Sequence, residues 1–313
     1  MKLTRHIFFY KGEDIIPLFG LTSSNTYIIR GDRLTIVDPG AGVGPHLRRV
    51  EAAMMQDRLR FDNIMKVILT HAHPDHAQSL RAIRGRLVAQ IYCHPLEKDI
   101  LENPGLMWDR EYERMGPFAR EVMMLPRPWI QWLARVMFGP MAPVSGGIVA
   151  VRHGAALNLG ASARVVELPG HRPGEIGIHM PDDNALIIGD LINYKMYDIP
   201  SVNMPESDLR QAMASIRLIR ELDVETLAPA HDYPLTGRMK IREWLDDALA
   251  RCGRMIDQAA QALAAKPGIP LPRLGAMLAA GNTSINFFQR RMLAFNTLKA
   301  LEPEDRISKE DHE

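Results

Sequence analysis

Cysteine is nearly missing from this chain. The two present in 313 residues, Cys93 and Cys252, offer no disulfide framework, and neither has a partner at metal-ligand spacing. Both read as buried thiols. Long apolar runs are missing too: nothing approaches the ~20 residues needed to span a bilayer, so no stable membrane insertion is expected. The run Ile7-Phe8-Phe9-Tyr10 is too short for a signal-peptide core and has no small-residue cleavage site, which makes the cytoplasm the expected compartment. Nor is there an excess of either charge. With 38 basic and 37 acidic residues the formal net charge is +1, and the footprint of a dedicated nucleic-acid binder is not visible. The length suffices to bury a full core and leaves room for a segment beyond one catalytic domain.

What the chain does have is a concentration of metal-ligand types. His71-Ala72-His73-Pro74-Asp75-His76 packs four of them into six residues, directly after the apolar run Val67-Ile68-Leu69. Imidazole nitrogen and carboxylate oxygen both suit a borderline cation such as Zn²⁺, and two ions about 3.5–4 Å apart can share one activated water. Four ligands cannot complete two coordination shells, so others must lie downstream. His171 in Leu168-Pro169-Gly170-His171, Asp190 in Ile187-Ile188-Gly189-Asp190 and His231 in Ala228-Pro229-Ala230-His231 each end a short apolar run at a turn. A ligand at the end of a buried strand is held rigidly while its side chain reaches the rim of the sheet.

Thr70-His71-Ala72-His73-Pro74-Asp75-His76, followed in order by His171, Asp190 and His231, resembles the metallo-β-lactamase superfamily, including its glyoxalase II-like and lactonase-like hydrolases. Asp38, in Thr35-Ile36-Val37-Asp38-Pro39-Gly40, is similar to the family's first motif, an acid that buttresses the metal loop without binding metal. The resemblance runs from about residue 20 to 240 and implies an α/β fold, a four-layer αβ/βα sandwich. It implies two Zn²⁺ per chain, with Fe or Mn as other occupants. His71, His73 and His171 would hold one, Asp75, His76 and His231 the other, and Asp190 would bridge them. By the same resemblance a hydroxide shared by the ions attacks an acyl carbon or phosphorus, and Asp75 or a metal-bound water gives the leaving group its proton. Tyr194 would donate a hydrogen bond to the substrate carbonyl, as a tyrosine near this motif does in lactone-cleaving relatives, although here the spacing is one residue longer. Gln78 departs from the family's usual glycine. An acid at 190 ranks β-lactamase activity behind other hydrolysis, since the antibiotic-hydrolysing members generally lack one there.

The remaining pattern alternates strands with helices. Residues 26–29 and 34–37 read as a hairpin about Gly31-Asp32, and 45–58 as a helix with Leu47, Val50 and Met54 on one face. Residues 67–70, 87–92, 148–152, 164–168, 176–180, 185–188 and 226–228 read as strands, and 208–222 as an amphipathic helix. The catalytic domain is expected over 1–237, interrupted at 97–146 by an apolar, Met- and Trp-rich insertion too long for an ordinary connection. Between Pro128 and Phe138 its apolar positions share one helical face. Three placements fit the insertion: a helical pair in the core or against a second subunit, a lid over the metals, or a peripheral membrane contact. Residues 238–313 read as a helical appendage broken at Pro267-Gly268-Ile269-Pro270, with 286–301 forming another helix and a frayed tail after it.

The functional expectation is a dinuclear zinc hydrolase that cleaves a lactone, ester or thioester with an apolar part. The homodimer stays open as a partner, and nucleic acid is not expected. The alternatives are a phosphodiesterase or ribonuclease on the same metal pair, a mono-iron persulfide dioxygenase, a promiscuous β-lactamase, and a binding module with an idle site.

Overall fold

The computed structural model describes residues 1–16, 21–138, 140–192, 202, 204–279 and 287–302. In chain order the strands are β1 (Ile7–Tyr10), β2 (Asp14–Ile16), β3 (Leu21–Thr22), β4 (Thr26–Arg30), β5 (Leu34–Val37), β6 (Ile64–Ile68), β7 (Gln90–Cys93), β8 (Ile148–Ala150), β9 (Arg164–Glu167), β10 (Ile176–Met180), β11 (Ala185–Ile187), β12 (Thr226–Ala228) and β13 (Leu235–Thr236). The helices are α1 (His46–Gln56), α2 (Pro74–Ala77), α3 (Leu80–Arg84), α4 (Pro95–Glu102), α5 (Gly105–Met115), α6 (Ala119–Met123), α7 (Arg127–Phe138), α8 (Leu209–Leu222), α9 (Arg238–Ala265), α10 (Leu271–Leu278) and α11 (Phe287–Lys299).

Two sheets face each other. The first has the order β1-β4-β5-β6-β7-β8, antiparallel through β5 and parallel from there on; the second has the order β13-β12-β11-β10-β9. Because successive side chains in a strand point to opposite faces, strands β1, β4, β5 and β6 of the first sheet each feed one or both of two cores. Ile7, Phe9, Tyr27, Ile29, Val37 and Ile68 meet Val165, Ile176, Ile178 and Ile187 between the sheets. Their neighbours Phe8, Ile28, Ile36 and Val67 pack outward against Val50 and Met54 of α1. On the far side, Val166, Leu186 and Leu227 pack against α8 and α9 through Ile216, Ile219, Leu245 and Ala248. The result is helix, sheet, sheet, helix, the four layers expected of the sequence, and each buried aliphatic side chain contributes roughly 1.5–3 kcal/mol.

Among the described residues the stretch expected as an insertion carries α4 to α7, with α4 starting two residues ahead of it at Pro95. Ile100, Leu101 and Met107 join the outer core of the first sheet. Met115, Val122, Met123 and Ile130 pack instead with Ala259, Leu271, Leu274, Met292 and Phe295 of the C-terminal helices. The single apolar face expected between Pro128 and Phe138 is divided: Ile130 is buried, while Trp129, Trp132 and Val136 point away from that core and are exposed by 62%, 58% and 62%. The two indoles stand edge to face with centroids 6.3 Å apart. Among the described residues no helix is long and apolar enough to cross a membrane.

Candidate metal centre

Five strands of the two sheets end at one rim, and the residues just beyond them form the site. Asp38 follows β5, the 70–76 loop follows β6, His171 follows β9, Asp190 follows β11 and His231 follows β12. Placement at the carboxyl ends of strands is the usual location of a site in an α/β sheet.

The seven side chains predicted as ligands gather there in two groups that share a member. His71, His73, His171 and Asp190 each turn one ligand atom to a common point within 4.8 Å of one another, and so do Asp75, His76, Asp190 and His231. In the first group His73 Nδ1 lies 2.9 Å from His71 Nε2 and 3.1 Å from His171 Nε2, and His171 Nε2 is 3.7 Å from Asp190 Oδ2. In the second, His231 Nε2 lies 3.1 Å from Asp75 Oδ2 and 3.2 Å from Asp190 Oδ1. His76 Nε2 is 3.3 Å from Asp190 Oδ1 and 3.7 Å from Asp75 Oδ2. The two carboxylate oxygens of Asp190 thus face different groups.

The outer atoms of these side chains are held as well. Asp38 accepts from the Thr70 amide at 2.8 Å, from Thr70 Oγ1 at 2.7 Å and from His76 Nδ1 at 2.9 Å. Thr22 Oγ1 is 2.9 Å from His231 Nδ1, while Asn25 donates its side-chain amide to the carbonyls of Pro229 and Asp232. The Ser24 amide donates to the Asp75 carbonyl. Such partners fix ring orientation and tautomer. Gly170 lets the His171 loop lie on α8, where an added Cβ would come within 2.6 Å of Ala212 Cα.

The electrostatics favour a cation. Burial, reinforced by neighbouring positive groups, holds His71 and His73 well below the ordinary histidine pKa, which keeps their lone pairs free. Burial works the same way on His76 and His231, but there Asp190 and Asp75 outweigh it. His76 rises well above its usual value and His231 is pushed up to about 10. Asp190 is pulled down by the imidazoles of His231 and His76 in spite of its own burial.

Metal fits the residues present. His76 Nε2 and Asp190 Oδ1 are buried and have no hydrogen-bond partner among the described residues, which an ion between them would supply. Three imidazoles with a carboxylate, and two imidazoles with two carboxylates, are nitrogen and oxygen sets suited to Zn²⁺, Fe²⁺ or Mn²⁺.

Tyr194 lies outside the described residues. Gln78 replaces the expected glycine with a tie: its Oε1 accepts from the Gly42 amide at 3.0 Å and its Nε2 donates to the Pro140 carbonyl at 3.4 Å, joining the metal loop to the end of the insertion. His94 caps α4 and pairs with Glu167, and Arg238 pairs with Asp223 and Glu225, so both have structural partners. Sequence reading passed over Thr22, Glu175 and Arg172. Glu175 is wholly buried against Gly189 and Thr70 and accepts from the Leu191 amide, with burial and the nearby Asp190 raising its pKa well above the carboxylate range. A charged residue directly after the candidate ligand His171 was the one available signal for Arg172.

A family model described as the metallo-beta-lactamase superfamily matches residues 19–231, more than half of the chain and the whole span of the site. The chain belongs to the metallo-β-lactamase superfamily. Membership makes it a metal-dependent hydrolase and leaves the scissile bond open. This superfamily chain is 23% identical over 241 residues to a probable metallo-hydrolase, YqjP, of Bacillus subtilis (strain 168), covering 72% of its own length and 73% of the relative's. It is 24% identical over 240 residues to the acyl-coenzyme A thioesterase MBLAC2 of Gallus gallus, covering 74% and 79%. Two solved structures share its fold. A beta-lactamase domain protein from Burkholderia ambifaria superposes with a TM-score of 0.71 at 19% identity, over 96% of this chain and 87% of that one. A metallo-beta-lactamase family protein from Thermus thermophilus does so with 0.67 at 20%, over 98% and 94%.

Proposed function

We propose that this superfamily member is a dinuclear zinc hydrolase that cleaves an acyl bond, with a thioester of an apolar acyl group as the leading substrate class. The observation that carries the dinuclear reading is Asp190, whose two oxygens face two separate ligand groups. Zinc is favoured by donor sets rich in imidazole. The thioester is favoured by similarity to a relative named as an acyl-coenzyme A thioesterase, and the apolar acyl part by the Met- and Trp-rich stretch 97–146, whose Trp129 and Trp132 stay exposed.

Two ions in these positions supply an activated water and Lewis acidity toward the oxygen on which charge develops. The chain's own contribution is placement. His71 and His73 present neutral nitrogens from the loop after β6, His171 joins them from the loop after β9, and Asp38 aims the Nε2 of His76 by holding its Nδ1. Asp75 is the most solvent-accessible of the site carboxylates, with 18% of its side chain exposed against 9% for Asp190. Its carboxyl, through the oxygen not given to the ion, would pass a proton to a departing thiolate or alkoxide. No side-chain nucleophile is required.

The test is metal content per chain by mass spectrometry on protein purified without added metal, paired with a screen of thioesters, lactones, β-lactams and phosphodiesters. Close to two zincs with thioester cleavage supports the proposal. A single iron with no hydrolysis overturns it and points to oxygen consumption with persulfides.

A further inference from the structure

Beneath the first ligand group lies a buried charge cluster that the hydrolytic chemistry does not use. Arg172, next to His171, is among the largest fully buried side chains of the protein. Its Nε donates to Glu97 Oε1 at 3.2 Å, its Nη2 is 2.8 Å from Glu206 Oε2, and its Nη1 is 3.8 Å from Glu111 Oε1 and 3.4 Å from His73 Nε2. Glu97 turns its other oxygen to the amide of Ala72, between His71 and His73, at 2.8 Å. Gly174 makes room for this, since a Cβ there would come within 2.7 Å of Glu97 Oε1.

These groups come from separate parts of the chain: Glu97 from α4, Glu111 from α5 inside the insertion, and Glu206 from the stretch before α8. Two buried acids, Glu97 and Glu111, and the largely buried Glu206 surround one guanidinium, and both oxygens of Glu111 have no hydrogen-bond partner among the described residues. Buried ion pairs often contribute nothing net to stability, and an uneven one costs more. Stability is therefore a poor reason for the cluster to exist. Its geometry offers a better one. His73 turns Nδ1 toward His71 and His171, with its Nε2 on the far side near Arg172, and Glu97, held by Arg172 Nε, takes the amide of Ala72 between the two histidines, so the loop that carries them is anchored through Glu97. Only a guanidinium fork reaches all these partners at once; a lysine ammonium cannot.

We propose that Arg172 is a positioning residue for the first metal half-site, and that Glu111 makes the affinity of that half-site depend on how α5 of the insertion is seated. The inference rests on the dinuclear reading above and concerns residues outside the seven ligands. Outer partners of metal ligands change affinity by roughly 10- to 100-fold when altered, without contacting the ion.

The experiment titrates metal-free protein with Co²⁺ and follows the visible d–d bands together with chelator competition, which separates the two equivalents. It compares the wild type with Arg172→Lys and Glu111→Gln, and with Glu113→Gln, an exposed change on the same helix, as control. The expected result is a roughly 10- to 100-fold weaker first equivalent with altered bands in both cluster variants, while the second equivalent and the control match the wild type. Burial pushes the Glu111 pKa up to about 8, so the titrations are run at pH 8.5, where its carboxyl is ionised, and should Arg172→Lys not fold, the isosteric Glu111→Gln decides. Wild-type affinity and bands in that variant, or an equal loss at both half-sites, make the cluster a structural tie only and overturn the inference. A wild type that takes up no cobalt overturns it together with the proposed function, which keeps the two failures distinct.

Discussion

His76 Nδ1 lies 2.9 Å from Asp38 Oδ2, and Asp38 reaches it from a left-handed backbone conformation with φ of 49°. A non-glycine residue rarely adopts that region, and Asp and Asn tolerate it best. The same carboxylate takes the amide and hydroxyl of Thr70, so one strained residue after β5 fixes both ends of the metal loop after β6. Local conformation and the orientation of a candidate metal ligand are joined at this residue.

Asp38→Asn keeps the backbone preference but removes the charge and one acceptor atom. The expected outcome is a roughly 10- to 100-fold weaker second metal equivalent, with the fold intact by circular dichroism. Chelator competition measures it, and an unchanged affinity would show that His76 needs no such anchor.

Phe295 of α11 is 2% exposed, and its ring lies 6.0 Å from that of Phe118 in the insertion. It belongs to the core shared by α6, α7 and the C-terminal helices. Phe295→Ala should cost about 3–5 kcal/mol of stability, since a large cavity opens in a packed site. Limited proteolysis should then cut first within 97–146, while zinc content stays at the wild-type level. Cleavage confined to the C-terminal helices would argue that the insertion does not depend on them.

How much of this could be read from the residues alone follows from what burial does to sequence. Strands β10 and β12 have the bounds the pattern predicts, and α8 begins one residue late because Asp208 is its cap, accepting from the Gln211 amide. Strand β1 escaped because Ile7, Phe8, Phe9 and Tyr10 are all buried, which erases the alternation that marks a half-exposed strand. Helices α4 to α6 escaped because Pro104 and Gly116 break them into pieces too short to show a period. The seven candidate ligands were legible because each sits in the turn after an apolar run. The Arg172 cluster was not, since residues 97, 111, 172 and 206 meet only through the packing of α4 and α5 on the sheet.

His46 gives the protein an acid-sensitive point away from the ligands. Burial lowers its pKa from 6.5 to about 4, only partly opposed by Glu13, and its Nε2 lies 3.0 Å from Thr26 Oγ1, which itself donates to the Asp38 carbonyl. The unfolded chain takes up the proton first as pH falls, so this contribution is intact above pH 6.5 and is lost between 6.5 and 4. The gap corresponds to about 3 kcal/mol at pH 4. In urea denaturation of metal-free protein, His46→Gln should lose less stability than the wild type between pH 7 and pH 4. Parallel losses in the two proteins would exclude His46 as the cause.

Metal uptake carries its own pH signature, opposite in origin. In metal-free protein burial lowers His231, yet Asp190 and Asp75 outweigh it and push the pKa up to about 10, and His76 is raised well above 6.5 on the same grounds. At pH 7 both rings therefore hold protons that a cation at Asp75, His76, Asp190 and His231 must displace. Zinc loading at that half-site should release about two protons, and its apparent affinity should fall by up to about 100-fold from pH 7 to pH 6. Because the ions bind the folded chain, loading at 100 times Kd should also add about 2.7 kcal/mol of stability, which a chelator removes. Calorimetry in two buffers of different ionisation enthalpy counts the protons directly. Zinc uptake with no proton release, or with an affinity that does not change between these pH values, would show that His76 and His231 do not hold the protons that Asp190 and Asp75 favour, or do not give them up to the ion.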